Sequence, residues 1–315
     1  MMQLYKYSDY LGLGYFDNPT IILSVPSTLN DPFESNLSED IINHLSKNVV
    51  DKQSFNEEVK YTFKNYLNLT GIVSLSETSR NILMWSHYAR HHKGMCIGLS
   101  KDFLNHKDGM KYHFARQFKI SSSARPQKVN YDNKRFEECE HEELSVSELL
   151  NGKAIDNYLH RHLMIKSDEW IYEKEHRSII PLAFSDLIMD IDLKSNPKLH
   201  SLVESGLNDK EIKIVNDGEP RRIFEFEKPE LGDMFKIIAC GDEYQNAKGI
   251  IFLLKINPKD ILTLHFGHRF CDDEIKKIIQ KISDPNHQLN HVRVFKKKIS
   301  STRFELEVDQ LYPST

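Results

Sequence analysis

Asp168-Glu169-Trp170-Ile171-Tyr172-Glu173-Lys174-Glu175-His176-Arg177-Ser178-Ile179-Ile180-Pro181 follows a helical pattern and stops at a proline. Its aromatic and β-branched residues favour a strand. Side chains alternate along a strand. One face therefore carries Ile171, Glu173, Glu175, Arg177 and Ile179. The other carries Trp170, Tyr172, Lys174, His176, Ser178 and Ile180. The first face sets three charges in a row, roughly 7 Å apart, between two isoleucines. The isoleucines ask for burial, so the pattern suits the floor of a cleft. It also suits an exposed strand face on which Glu175 and Arg177 pair with neighbours, since structural ion pairs are common.

The 315 residues suggest one large domain or two small ones. With 39% hydrophobic and 28% charged residues the chain has the balance of a soluble globular protein. A formal net charge of -4 gives no global basic field to attract nucleic acid, so any such binding has to be local. Cys96, Cys139, Cys240 and Cys271 lie far apart with no C-x-x-C pair, which argues against a zinc ribbon and a disulfide framework. There is no basic start followed by an apolar run, and no apolar stretch approaches the roughly 20 residues that span a bilayer. The expected setting is the reducing cytoplasm, with no membrane partner.

Outward from the acidic stretch, Leu4–Tyr7 and Ile21–Val25 read as strands. Between Ser27 and Glu34 lies a polar turn around Pro32, where Asn30, Asp31 and Glu34 stand just past a strand end. The spacing of Phe55, Val59, Phe63, Tyr66 and Leu67 predicts a helix over Ser54–Asn68. Gly71–Ser76 reads as a buried strand and Glu77-Thr78-Ser79 as a turn and cap. A helix over Arg80–His92 is expected to end at Gly94 as its C′ residue, before a strand over Met95–Leu99. Tyr112–Tyr131 reads as irregular with some strand, Glu137–Glu148 as an acidic helix or insertion, and Ala154–Lys166 as a helix. Ala183 to about Arg222 reads as helical and exposed. Ile223–Phe226, Phe235–Cys240, Ile250–Ile256 and Leu262–Phe266 are strand candidates. A helix over Asp272–Ile282 and a hairpin of Val292–Ile299 with Arg303–Val308 follow. Strands and helices mix without regular βαβ alternation, so the fold class is α+β. The expected organisation is a single domain over residues 1–315, with a motif-bearing core (1–182), a helical insertion (183–222) and a C-terminal strand-helix-hairpin portion (223–315).

Few local motifs carry chemistry. His87 and His91 stand at i, i+4, a spacing that holds zinc, but Tyr88 follows His87 where a metalloprotease needs glutamate. His91 also suits a helix C-terminus. His265 and His268 flank Gly267. The usual phosphate loops and the G-x-S-x-G elbow are absent. Lys296-Lys297-Lys298 reads as a solvated, aggregation-resistant edge, whose outer two charges share one face only if the third points inward. No metal is expected.

Several stretches together resemble a bacterial family, the domain of unknown function twenty-nine seventy-one. They are Leu4-Tyr5-Lys6-Tyr7, Asn30-Asp31-Pro32-Phe33-Glu34, Ser74-Leu75-Ser76, Asn81 with Met84-Trp85-Ser86-His87-Tyr88 and His92 to Gly98, and Trp170-x-Tyr172-Glu173-x-Glu175-x-Arg177. Their order is also similar to that of ADP-ribosyltransferases. Those enzymes bind NAD with an early His or Arg, use a middle Ser or Tyr element, and place a catalytic Glu on a late strand. That resemblance puts Lys6 or Tyr7 at the first position, Ser74 and Ser76 at the second, and Glu173 or Glu175 at the third. The sequence departs at the first position, where Leu4-Tyr5-Lys6-Tyr7 holds no His or Arg.

The resemblance implies an ADP-ribosyltransferase-like core of mainly antiparallel sheets with flanking helices. It implies cleavage of NAD and transfer of ADP-ribose to a macromolecular target, protein or nucleic acid. A toxin or phage-defence effector with an antitoxin or defence partner fits that activity. Glu175 is the first choice for the catalytic carboxylate and Glu173 the second, with Arg177 keeping Glu175 ionised. Tyr5, Lys6, Tyr7, Asn30, Asp31, Ser74, Ser76, Trp85, His87 and Tyr88 are the expected NAD-binding set. Two alternatives stay open: a metal-dependent hydrolase or nuclease holding Mg²⁺ on Asp31, Glu34, Glu173 and Glu175, and a non-enzymatic binding module.

Overall fold

The computed structural model describes residues 3–47, 49–113, 119–136, 153–216, 222–228 and 249–313, together with 232 and 235. The strands are β1 (Gln3–Ser8), β2 (Thr20–Leu23), β3 (Thr70–Ser76), β4 (Met95–Ser100), β5 (Lys111–His113), β6 (Lys119–Ser121), β7 (Ser123–Lys128), β8 (Asn130–Tyr131) and β9 (Ile165–Lys166). They continue with β10 (Glu175–Pro181), β11 (Leu187–Asp190), β12 (Ile212–Asn216), β13 (Ile223–Phe226), β14 (Ile250–Lys255), β15 (Ile261–Phe266), β16 (Arg293–Ile299) and β17 (Leu306–Tyr312). The α-helices among the described residues are α1 (Glu39–Leu45), α2 (Lys52–Leu69), α3 (Ile82–Tyr88), α4 (Lys153–Met164), α5 (Pro197–Asn208) and α6 (Asp272–Ile282).

Two sheets organise the chain. The eight-stranded sheet has the order β17-β16-β15-β4-β1-β3-β10-β7, and the five-stranded one the order β12-β13-β11-β14-β2. Neighbours are antiparallel except β15 and β16, so the class is α+β as expected. Leu4, Ile97, Leu99, Leu264 and Phe266 of the larger sheet share one core with Ile188, Phe252 and Leu254 of the smaller and with Ile275, Ile278 and Ile282 of α6. A second core packs Ile41, Phe63, Tyr66, Leu67, Leu159 and Leu163 of α1, α2 and α4 beneath Ile72 and Ile179. Burying each such side chain contributes about 1.5–3 kcal/mol.

The site depends on what happens along one edge of β3. β10 pairs with the other edge along its whole length. The free edge is divided. β1 meets it at a single register pair, Tyr5 with Ser76. Ser24, just past β2, meets it at Ile72 through two backbone hydrogen bonds of 2.9 and 2.7 Å. Between them the Ser74 carbonyl accepts from the Lys6 ammonium at 3.1 Å instead of from a strand. β1 and β2 thus diverge from a common edge. Gly71 makes the β2 contact possible, since a Cβ there would stand 2.2 Å from Leu23 Cγ.

Several local readings change. Asp168–Glu173 is a 3-10 turn, not a strand. The Ser167 hydroxyl caps it at Glu169 N–H, acids occupy its first turn, and Lys174 ends it in the left-handed region at φ 47°. That capping chemistry overrides the β preference of Trp170, Ile171 and Tyr172. Ile171 is 59% exposed and flanks nothing buried. α3 is capped by Asn81 and stops at Tyr88. Arg90, His91 and His92 follow with φ of 46°, 53° and 67°, so His87 and His91 do not share a helix. Gly94 is required by close approach instead, because a Cβ there would sit 2.3 Å from the Ser8 carbonyl.

Residues 183–216 hold α5 between β11 and β12 and bury Leu187, Ile188, Leu193, Leu199 and Val203, so this segment is not an exposed helical insertion. The second hairpin strand begins at Leu306 instead of Arg303. The expected strand over Phe235–Cys240, beyond Phe235 itself, and the acidic stretch at Glu137–Glu148 lie outside the described residues. No helix among the described residues is long and apolar enough to cross a membrane.

The lysine run is not an edge. β16 lies between β15 and β17, and Lys297 points inward at 1% exposure. Its ammonium donates to Ser79 Oγ at 3.0 Å, and no carboxylate among the described residues pairs with it. Burial pushes its pKa down from 10.5 to about 8. Below pH 8 the folded state therefore carries a buried charge that the unfolded chain solvates. Stability from this group rises as pH climbs from about 8 towards 10.5, by up to about 3 kcal/mol. Lys297→Met is expected to unfold at higher denaturant than wild type at pH 7, with the gap narrowing at pH 10.5. Equal midpoints at pH 7 would contradict the cost assigned to the buried ammonium.

Candidate functional site

Glu175 and Arg177 lie on β10 opposite Ser76 and Ser74 of β3. Both are buried, Glu175 to 3% exposure and Arg177 to 1%. Arg177 Nε donates to Glu175 Oε1 at 2.8 Å, and its Nη2 to Glu175 Oε2 at 3.1 Å and Glu34 Oε1 at 2.5 Å. Nη1 donates to the Leu163 carbonyl at 2.6 Å. The planar guanidinium thereby ties β10 to the 31–34 turn and to the end of α4.

A second cation completes the cluster. Lys166 Nζ donates to Glu173 Oε2 at 2.7 Å and to Glu175 Oε2 at 3.1 Å, and stands 3.7 Å from Glu34 Oε1. It also lies 4.8 Å from the centre of the Trp170 ring. Burial alone would raise the Glu175 pKa, but Arg177 and then Lys166 outweigh it and hold the carboxyl at about 2. The Lys166 pKa is raised: burial opposes this, and the Glu175 and Glu173 carboxylates prevail. Glu34 is raised by burial despite Arg177 and Lys166, and its Oε2 is buried without a hydrogen-bond partner.

Glu173 enters from the end of the 3-10 turn at 3% exposure. Its Oε1 accepts from the Tyr88 hydroxyl at 2.5 Å, which in turn accepts from Asn30 Nδ2 at 3.1 Å. The turn is pinned at two carbonyls. Ser76 Oγ donates to Glu173 O at 2.7 Å, and Asn81 Nδ2 to Tyr172 O at 2.6 Å. Burial, then the Glu173 charge, raise the Tyr88 pKa, so its proton stays on the phenol. Lys6 is lowered by burial, against the pull of Glu175 and Glu173.

These groups surround a cavity of about 360 Å³. Tyr5, Lys6, Tyr7, Asn30, Ser74, Ser76, His87, Tyr88, Glu173 and Glu175 all line it, from five separate parts of the chain. Three expected residues do not. Asp31 is buried and accepts from the Phe33 N–H at 2.9 Å, shaping its own turn. Trp85 is core, with Nε1 donating to Ser79 O at 2.8 Å and its ring 5.2 Å from that of Tyr7. Arg177 stands behind Glu175 and acts on the cavity through it.

Lys166 was not singled out from the sequence, where it reads as the end of a helix. The available signal was charge imbalance: two buried acids with one arginine require another cation. Glu34, expected in a loop past a strand end where binding groups sit and as a metal ligand in the alternative reading, also lines the cavity.

The metal readings are not supported by the geometry. Asp31 faces away, and the other three acids converge on Lys166 and Arg177. No three His, Cys, Asp or Glu among the described residues are grouped to hold an ion. His265 is stacked on Phe295 at 4.8 Å, and burial and Lys297 push its pKa to about 3.

Residues 84–178, from within α3 to the middle of β10 and including Glu173 and Glu175, match the family described as protein of unknown function (DUF2971). The DUF2971 segment supplies Tyr88, Lys166, Glu173, Glu175 and Arg177, whereas Lys6, Asn30, Glu34, Ser74 and Ser76 come from chain before it. No curated protein and no solved structure matches the chain.

Removing Lys166 leaves the carboxylates of the DUF2971 segment with a single guanidinium. Lys166→Met is expected to cost about 3–5 kcal/mol at pH 7, the usual result of leaving a buried charge uncompensated. The cost shrinks towards pH 4, because Glu175 without Lys166 takes up a proton at a higher pH than in wild type, where Arg177 and Lys166 hold it at about 2. Denaturant titrations at both pH values measure this, with exposed Lys276→Met as a control near zero. A Lys166→Met chain as stable as wild type would mean that water already screens the acids.

Proposed function

We propose that the cavity binds NAD by its nicotinamide ribose and that the protein transfers ADP-ribose to a macromolecular target. The observation that carries this reading is the pair of glutamates at the floor of a cavity walled by tyrosines and serine hydroxyls. A carboxylate so placed stabilises the positive charge that spreads over the ribose as the nicotinamide bond breaks. The bonding pair leaves with the nicotinamide ring nitrogen. The sugar C1 then takes a nucleophile from the target, whose proton passes to solvent.

Glu173 is the better placed of the two for that role. Glu175 accepts three hydrogen bonds from Arg177 and Lys166, whereas Glu173 accepts one each from Lys166 and Tyr88. Tyr88 orients Glu173, and Ser74 and Asn30 offer hydrogen bonds to ribose hydroxyls. In the motif order that resembles ADP-ribosyltransferases, Lys6 or Tyr7 takes the position of their His or Arg, and the Lys6 ammonium suits an anionic part of the dinucleotide. The reading needs a compartment that contains NAD, the cytoplasm. It fits a toxin or phage-defence effector held in check by an antitoxin or defence partner. One feature favours a non-catalytic binding module instead: Glu175, Lys166 and Arg177 already satisfy one another.

Incubation of the chain with cell lysate and NAD labelled in its adenylate half separates the two. Nicotinamide release and label transfer are expected, with Glu173→Gln slower by about 10²–10³-fold, the scale of losing one transition-state contact. Tyr88→Phe is expected to lose less, because it only positions Glu173. NAD binding without release of nicotinamide supports the binding module, and neither binding nor release ends the NAD reading.

A further inference from the structure

A second cavity, of about 520 Å³, lies between the two sheets on the far side of β1. Ile97 and Leu99 of β4 form one wall, and Ile22, Leu187, Ile223 and Leu253 of the five-stranded sheet form the opposite one. Its volume falls in the range of roughly 300–1,000 Å³ typical of small-molecule sites, and its walls are mainly apolar as those sites are. The exposed loop after β1 borders it with Asp9, Leu11, Asp17 and Asn18, and Leu11 is 39% exposed there.

Lys6 contributes the one cationic side chain of this wall among the described residues, and it also lines the polar cavity. The divided edge of β3 is what allows both. Its ammonium donates to the Ser74 carbonyl, one of three bonds an ammonium can make. Glu173 and Glu175 are already held by Lys166 and Arg177. Lys6 thus offers this apolar lining a cation whose ammonium has donors to spare, which suits an anion.

We infer that this second cavity binds an apolar monocarboxylic acid of medium chain length, its carboxylate on Lys6 and its tail running between the sheets towards Leu11. A single negative charge fits because Lys6 stands alone in the wall, and because Asp9 and Asp17 at the border repel a second one. Each methylene of the tail leaves water for Ile, Leu and Val surface, so affinity grows with chain length until the cavity is full. Since Lys6 serves both cavities, an acid bound here competes with the polar cavity for the same ammonium. Nothing in this site requires NAD chemistry, so it stands or falls separately from the transfer reaction.

Calorimetric titration of the full chain at pH 7 with decanoate and with decanol, each below its aggregation threshold, tests it. Decanoate is expected to bind one per chain, at least about tenfold tighter than decanol, a difference of one ion-pair-sized contribution. Lys6→Met is expected to bind the two equally, because the tail contacts remain. Leu253→Phe, in a wall that the polar cavity lacks, is expected to weaken both ligands at least about tenfold, with circular dichroism verifying its fold. If that chain fails to fold, Val215→Phe on the half-buried side of the same wall takes its place. The site is overturned if wild type shows no saturable decanoate binding, if decanoate and decanol bind alike, or if the preference survives Lys6→Met. Decanoate binding that neither filling substitution weakens overturns it as well.

Discussion

Arg177 donates four hydrogen bonds from a position almost wholly removed from solvent, to two glutamates and the last turn of α4. Taking a carboxylate out of water costs several kcal/mol even after relaxation, and three of them meet here. They are sustained only because a guanidinium and an ammonium reach them together. The arginine fork sets geometry: two donors on Glu175 and one on Glu34 fix the angle between β10 and the 31–34 turn. Lys166 sets charge, its compact ammonium touching oxygens that approach from different elements. Without this cluster the floor of the cavity would have to be apolar, and the tyrosine and serine side chains above it would face nothing ionic.

The cavity itself exists because of the backbone. A strand edge shared by two diverging strands leaves a carbonyl, Ser74 O, that neither reaches. Leaving it bare would cost about 1–3 kcal/mol, and the Lys6 ammonium meets it. The same divergence opens room on both faces of β1. That is why one lysine borders a polar hollow towards β10 and an apolar one between the sheets. The α+β class and the position of the site are therefore one fact: the two sheets separate at the point where chemistry gathers.

Much of this was legible in the sequence, unevenly. Long periodic or uniformly apolar stretches, such as Lys52–Leu69, Thr70–Ser76 and Asp272–Ile282, announce themselves because burial of one face dominates their energy. Ten of the thirteen expected site residues line one cavity, since their motifs lie on β1 and β3, on the turn after β2, at the end of α3 and where the 3-10 turn meets β10. Trp85 and Asp31 were misplaced for opposite reasons: an aromatic beside a site is more often core, and an Asp before Pro-Phe caps a turn. Leu187–Asp190 was too short a run to separate from helix by pattern alone. Lys166 was signalled only by charge imbalance, because its role is set by partners 7 and 9 residues later and by Glu34 far earlier in the chain.

The misread start of the acidic strand is the most informative of these. On a continuous strand Glu173 and Glu175 would point the same way roughly 7 Å apart, each needing its own cation. The 3-10 turn, ended by Lys174 in the left-handed region, removes that spacing. Both carboxylates now bind a single ammonium, at 2.7 and 3.1 Å. A left-handed lysine costs of order 1 kcal/mol, and such strain persists where the surroundings fix it. Here Ser76 and Asn81 do so, through the carbonyls of Glu173 and Tyr172. The break also divides the labour between the acids. Glu175, in register on β10, is saturated by Arg177 and Lys166 and holds the cluster together. Glu173, on the turn, keeps one oxygen on the rigid ion network and gives the other to Tyr88 at the cavity wall. One acid fixed by the sheet and one presented by a pinned turn is an arrangement in which charge can be offered to a ligand without loosening the interior that supplies it.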